Sequence, residues 1–239
     1  MPYKEFDVSG IGKIKIYKRR GSRSLRLTVA ADGSVRVSIP YWTPYQAGLA
    51  FTVSRKAWIT AQTRVEASML TNGMAVGKTR VLRFVPSTTT DSMKTSVRPS
   101  EVIVMHNVAL NSSDSAVQAA AESACYRALK VEATKLLTPR LNELAAHHGF
   151  TYHSLNVKRM KTRWGSCDQH KNIVLNLFLV QLPWDCIDYV ILHELTHTRA
   201  LHHGPDFWQK FEDVLPGARR MRKTMRSYRP MLGLFKVDS

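Results

Sequence analysis

Four histidines and a glutamate crowd one short stretch, VILHELTHTRALHHG: His193, Glu194, His197, His202 and His203. His193 and His197 stand four apart, a spacing that puts two imidazoles on one helix face about 5.4 Å apart along the axis. Two such rings can bind a single cation at about 2.0–2.1 Å. Glu194 adjoins the first of them, and His-Glu-x-x-His is the pattern of zinc-assisted hydrolysis with a glutamate general base. In that chemistry zinc brings the pKa of its water to about 7, and the carboxylate takes the proton as a carbonyl carbon is attacked. The catalytic expectation is therefore Glu194, with zinc as cofactor.

A catalytic zinc takes three protein ligands and keeps one position open. His203 follows His197 at the interval used by metzincins, although the glycine that they carry three residues after the second histidine is Ala200 here. His203 is the preferred third ligand and His202 its competitor. Asp206 and Glu212 remain alternatives should the third ligand be a downstream carboxylate. A helix that ran on would carry positions 202 and 203 away from the 193/197 face, so the helix is expected to break around Leu201.

Several elements have to position this stretch. SLRLTVAADGSVRVSIP alternates Leu25, Leu27 and Val29 with Val35, Val37 and Ile39 about Asp32-Gly33, a hairpin signal. Leu49, Val53, Trp58 and Val65 recur at helical spacing between Pro44 and about Leu70. RVLRFVP and EVIVMHN read as strands, with STTTDSMKTS between them as a loop. A long Ala- and Leu-rich helix is expected from about Asp114 to His148, restarting at Thr138-Pro139 and ending at Gly149. LNVKRM and NIVLNLFLV read as two strands joined by KTRWGSCDQHK. Pro183 then introduces the histidine helix, and two more helices follow near 205–214 and 217–228. The fold class is α+β, with an N-terminal β-rich region carrying one helix (1–110) and a core over 111–239, as two domains or one continuous one.

Two neighbours of the motif invite a chemical reading. In RWGSC, Gly165 and Ser166 allow a tight turn that could meet a substrate carbonyl or pack under the histidine helix, and Trp164 either walls a cleft or fills the core. Cys167 as a nucleophile is disfavoured, since nothing in the sequence activates it. NIVLNLFLV, with Asn176 in it, is the expected edge strand on which a peptide substrate would pair by β-addition. Phe207 and Trp208 read as core anchors for the following helix.

Charge and composition bound the rest. The formal net charge is +17, concentrated in KIKIYKRRGSRSLR (13–26) and RRMRKTMRSYR (219–229), neither of which contains an acid. Such a field suits polyanion contact, nucleic acid included, or merely a solvated surface. No apolar run reaches the length of a membrane span, and MPYKEFDVSG lacks the apolar core of a signal peptide, so a cytoplasmic location is expected. Three scattered cysteines exclude a disulfide framework.

RWGSC (163–167), LPWDCIDYVILHELTH (182–197) and HHGPDFW (202–208), in that order, resemble the YgjP-like metallopeptidases. The resemblance spans about residues 20 to 230. It implies a zincin-like core related to SprT-like and WLM proteases, with His193, His197 and His203 as ligands and Glu194 as base. A zinc peptidase acting on a peptide or protein is thus the leading expectation. The alternative is a basic, nucleic-acid-associated zinc protein, either a DNA-guided protease or a binder without catalysis.

Overall fold

The computed structural model describes residues 3–29, 34–63, 69–89 and 92–232. The fold is mixed α+β and divides into two compact units, Met1–Ser68 and Met69–Ser239. Each buries its own apolar core.

The first unit holds β1 (Tyr3–Val8), β2 (Gly12–Arg19), β3 (Arg26–Val29) and β4 (Val35–Pro40), in the sheet order β1-β2-β4-β3. β1 and β2 precede the first strand that the sequence suggests. The expected hairpin is present as the antiparallel pairing of β3 with β4, from Arg26↔Ser38 to Val29↔Val35. Its Asp32-Gly33 bend lies outside the described residues. Along β2 the pleat sends Ile14 and Ile16 inward and Lys13 and Lys15 outward, so these two of the seven basic residues in the first stretch lie on the solvent face of a strand.

The single helix expected after Pro44 is two, α1 (Tyr45–Ser54) and α2 (Lys56–Thr63), broken at Arg55. Residues 64–68, and Val65 with them, lie outside the described residues. The buried face is also a different one. Gly48 and Thr52 turn inward, whereas Val53 is 52% and Trp58 45% exposed. The cause is close approach to the sheet: a Cβ on Gly48 would stand 3.0 Å from Ile39 Cγ2 and 3.1 Å from Ile16 Cγ2.

The second unit opens with β5 (Ala75–Val76), β6 (Arg80–Ser87), β7 (Lys94–Val97) and β8 (Glu101–Asn107), ordered β5-β6-β8-β7 with β6 and β8 parallel. The expected loop between β6 and β8 thus contains a strand, because residues 94–97 close the sheet against β8; residues 90 and 91 are outside the described set. Helix α3 (Ser115–His147) runs unbroken through Pro139, without the restart that the proline suggests. Its buried positions include Ala121, Ala124 and Ala128, small residues that let neighbouring elements approach closely. Gly149, at φ 64°, ends it in the left-handed conformation.

β9 (Ser154–Lys158), β10 (Gly165–Cys167) and β11 (Asn172–Asn176) form a three-stranded sheet in the order β10-β11-β9. β11 stops at Asn176, and the apolar run beyond it winds into a 3-10 helix over Leu177–Gln181 in which every residue is buried. A run buried on all sides has no period by which sequence tells strand from helix. Helices α4 (Trp184–His197), α5 (Pro205–Val214) and α6 (Ala218–Arg226) complete the unit. α4 packs against α3, α5, α6, β10 and β11, which explains why it is buried on almost every side. Arg140 of α3 clamps it with a fork onto Asp188, Nε to Oδ1 at 2.8 Å and Nη2 to Oδ2 at 2.5 Å. Among the described residues no helix is long and apolar enough to cross a membrane.

Candidate metal centre

α4 ends at His197, four residues before the expected break at Leu201. The chain turns through Thr198, Arg199 and Ala200, whose NH groups return to the carbonyls of Leu195 and Thr196. This reversal brings His203 back over the helix. Nitrogen atoms of His193, His197 and His203 lie within 4.8 Å of one another, close to what one ion with bonds of about 2.0–2.1 Å can bridge. His203 Nε2 is 2.9 Å from His193 Nε2. His197 Nδ1 donates to the Ala200 carbonyl at 3.1 Å, so its Nε2 keeps the lone pair. Ala200 therefore supplies through its backbone what the turn needs, and the missing metzincin glycine does not prevent the turn.

The other contenders stand elsewhere. His202 is exposed and outside the cluster. Asp206 pairs with Lys210 one turn along α5. Glu212 accepts the NH groups of Gly217 at 2.8 Å and Arg219 at 2.7 Å, which caps α6.

Phe207, fully buried on α5, packs beneath the whole cluster. Its ring centroid is 4.9, 4.6 and 4.7 Å from those of His193, His197 and His203. Sequence reasoning gave it a core role and missed that its neighbours are the three imidazoles. Tyr189 stacks on His193 at 6.1 Å from one turn earlier on α4. Trp208 stands 6.5 Å from His203 and carries two guanidinium groups of α6, Arg219 at 5.3 Å and Arg222 at 5.2 Å. The second basic stretch thus borders the cluster.

Burial depresses the proton affinity of all three rings. His193 falls to about 3, driven first by desolvation and then by the neighbouring His197, His203 and Arg222. His197 and His203 are lowered for the same leading reason. Neutral imidazoles are what a cation needs. Glu194 is 5% exposed, and burial raises its carboxyl to about 8 against the opposing pull of Arg163. Its Oε2 has no hydrogen-bond partner, and neither has His193 Nδ1. Two orphaned polar atoms on adjacent residues of α4 are a costly arrangement for a purely structural core.

The neighbours singled out in the sequence divide. Gly165 backs directly onto Glu194: a Cβ there would lie 2.6 Å from Oε1. Trp164 packs partly buried against the core, and its carbonyl accepts the NH of Asn176 at 2.9 Å. Asn176 is fully buried and donates to the carbonyls of Met160 and Arg163, both at 2.7 Å, while its Oδ1 accepts from Phe178 NH. Its carboxamide holds the 160–164 loop and has no donor left for a substrate, which corrects the expected contact. The edge-strand expectation for β11 is corrected as well, since β10 and β9 pair with both of its sides. β10 is the edge. The Cys167 thiol is pushed up to about 11 by burial, which removes the nucleophile reading. All three cysteines are free.

The model of the YgjP-like metallopeptidase domain matches residues 23–228. No curated protein matches the chain. Among solved structures, the metallopeptidase zymogen abylysin of Pyrococcus abyssi is 21% identical over 38% of this chain and 91% of its own, with a TM-score of 0.35. The zymogen jannalysin of Methanocaldococcus jannaschii gives the same identity and coverage with a TM-score of 0.33.

Proposed function

The chain belongs to the YgjP-like metallopeptidase family and is a metal-dependent hydrolase, and from that premise we propose a zinc peptidase with His193, His197 and His203 as ligands and Glu194 as general base. One observation carries this reading: three neutral imidazoles converge, and the residue next to His193 on α4 carries a buried carboxyl whose Oε2 is unpartnered. The donor set fits zinc, because all three donors are imidazole nitrogens and a three-ligand set leaves one position open. When bound, zinc supplies Lewis acidity and brings the pKa of coordinated water to about 7.

The chain's own residues do the rest. Glu194 takes a proton from the attacking water on its free Oε2 and passes it to the leaving amine. The Ala200 carbonyl fixes the His197 tautomer, and Phe207 fixes the planes of all three rings. The accompanying fold reading is a zincin-like core with α4 as its central helix. Residues 111–239 would carry the catalytic machinery and 1–110 the N-terminal β region. The substrate is a peptide or protein, and its backbone pairs with the free edge of β10 rather than with β11. A cytoplasmic location accords with three unpaired thiols.

Metal analysis beside peptide cleavage tests the proposal. Zinc should be retained by wild type, His202→Ala and Glu194→Gln, and lost from His193→Ala, His197→Ala and His203→Ala. Glu194→Gln should cleave nothing. Cleavage by that variant would reject the base, and full zinc in His203→Ala would reject the third ligand.

A further inference from the structure

The basic residues and exposed aromatics of the first unit meet at one end of its sheet. β2 and β4 run parallel, so their last residues, Arg19 and Pro40, lie side by side. β3 starts at the same end, with Arg26 opposite Ser38. After β2 the chain turns through Gly21, at φ 77°, and comes back to β3. Between these segments is a cavity of about 320 Å³ lined by Arg19, Arg20, Arg26, Ser22, Ser24 and Ser38. Among the described residues no carboxylate lines it. Glu5 and Asp7 register opposite Lys15 and Lys13, further back along β2, and Glu5 is taken up by Lys15 at 3.2 Å.

The chain leaving β4 places Tyr41, 47% exposed, and Trp42, 69% exposed, at this same end. Arg20 lies 5.3 Å from the Tyr41 ring centroid and Lys18 lies 5.6 Å from it. Arg20 therefore belongs to both the cavity and the aromatic rim. Three guanidinium groups gathered without a counter-charge repel one another, and phosphate oxygens relieve that repulsion while accepting from their N–H groups and from the serine hydroxyls. Exposed rings beside such a groove offer flat faces to unstacked bases, whereas a duplex keeps its bases stacked inside.

We infer that this end of the first unit is a binding site for single-stranded nucleic acid, with backbone phosphates in the Arg19–Arg20–Arg26 cavity and bases on Tyr41 and Trp42. The inference uses no residue of the metal centre and stands apart from the proposed peptidase chemistry.

Fluorescence anisotropy of a labelled oligothymidylate of about 12 nucleotides, titrated with the full-length zinc-loaded protein, tests it. Binding should be present at about 50 mM salt and weaken steeply by about 200 mM. Arg20→Glu/Arg26→Glu should weaken it by about tenfold or more and flatten the salt dependence. Trp42→Ala should weaken it several-fold, with metal content and peptide cleavage unchanged. Should the charge reversal lower the melting temperature, Trp42→Ala alone carries the test. Equal binding by these variants would overturn the site, as would no binding at the lower salt. Displacement by thymidine monophosphate as effective as by the oligomer would overturn the strand assignment in favour of a free nucleotide. Binding to phosphatidylserine vesicles through the same residues, with none to the oligomer, would overturn it in favour of a membrane surface.

Discussion

Gly165 and Glu194 compete for one volume: a Cβ on residue 165 would stand 2.6 Å from Oε1, 2.7 Å from Cγ and 2.8 Å from Cδ of the glutamate. The carboxyl is buried on a helix packed on nearly every side, so it cannot yield without being re-aimed. Gly165→Ala should leave the metal in place and lower kcat by about a hundredfold, the usual cost of a displacement near 1 Å at a reacting group. KM should change little. Steady-state kinetics beside metal analysis check this, and a Gly165→Ala enzyme with wild-type kcat would mean that Glu194 has no fixed position to lose.

Phe207 touches all three candidate ligands, at 4.6 to 4.9 Å between centroids, and is fully buried. Phe207→Ala opens a cavity under the cluster and should cost about 3–5 kcal/mol of stability. Phe207→Leu keeps most of the volume but removes the flat ring, and should fold while binding zinc more weakly. A chelator competition titration reads that loss. Unchanged zinc affinity in Phe207→Leu would reduce Phe207 to filler.

Glu194 and His193 should shape the pH dependence of the metal-free protein in opposite directions. An unfolded glutamate releases its proton near its ordinary value of about 4.3, but the folded one keeps it to about 8. Across that interval the native state binds more protons, so stability falls as pH rises. His193 keeps its lone pair down to about 3 when folded, against about 6.5 unfolded. There the unfolded state binds more protons, and stability falls as pH falls. Between about pH 4.5 and 6.5 the two slopes oppose each other, but the lowered His197 and His203 add to that of His193, so stability rises toward about pH 6.5 and falls above it. Metal-free Glu194→Gln should lack the alkaline loss and melt about 5 °C above metal-free wild type near pH 8. The gap should close toward about pH 5. A pH-independent gap, measured by thermal unfolding in chelator, would show that burial does not hold the Glu194 proton.

How much of this was legible beforehand follows from where each signal resides. The spacing of His193 and His197 is local, so sequence showed one face of one helix without any tertiary knowledge. His203 could be preferred but not separated from His202 by spacing, because the answer depends on a reversal that begins at Thr198 and is stabilised by returning backbone hydrogen bonds. β7 stayed hidden in STTTDSMKTS because a short strand with polar faces carries little period-2 contrast. Asn176 was misread as a substrate contact because sequence cannot say that both NH₂ protons are already committed to the 160–163 backbone. Val53 keeps the helical spacing yet lies exposed, because α1 seats Gly48 against the sheet and buries its smallest face, which inverts the usual apolar rule.

The clamp between Arg140 and Asp188 supports the last prediction, since it joins the long α3 to the helix that carries His193, Glu194 and His197. Both partners are less than a third exposed, at 30% and 19%, so screening by water is incomplete. The fork is bidentate, so removing Arg140 leaves both Asp188 oxygens unmatched, and removing Asp188 leaves the guanidinium only Glu143, at 2.7 Å from Nη1. Arg140→Met and Asp188→Asn should each lower stability by about 1–3 kcal/mol, and the double variant should cost less than the sum of the two. A double-mutant cycle by denaturant unfolding would measure a coupling energy of about 1–2 kcal/mol. Zinc stoichiometry should hold in all three variants, because Tyr189, Phe207 and Phe211 still pack against His193. Strict additivity would mean that α4 is held by apolar packing alone and that the fork is incidental to its position.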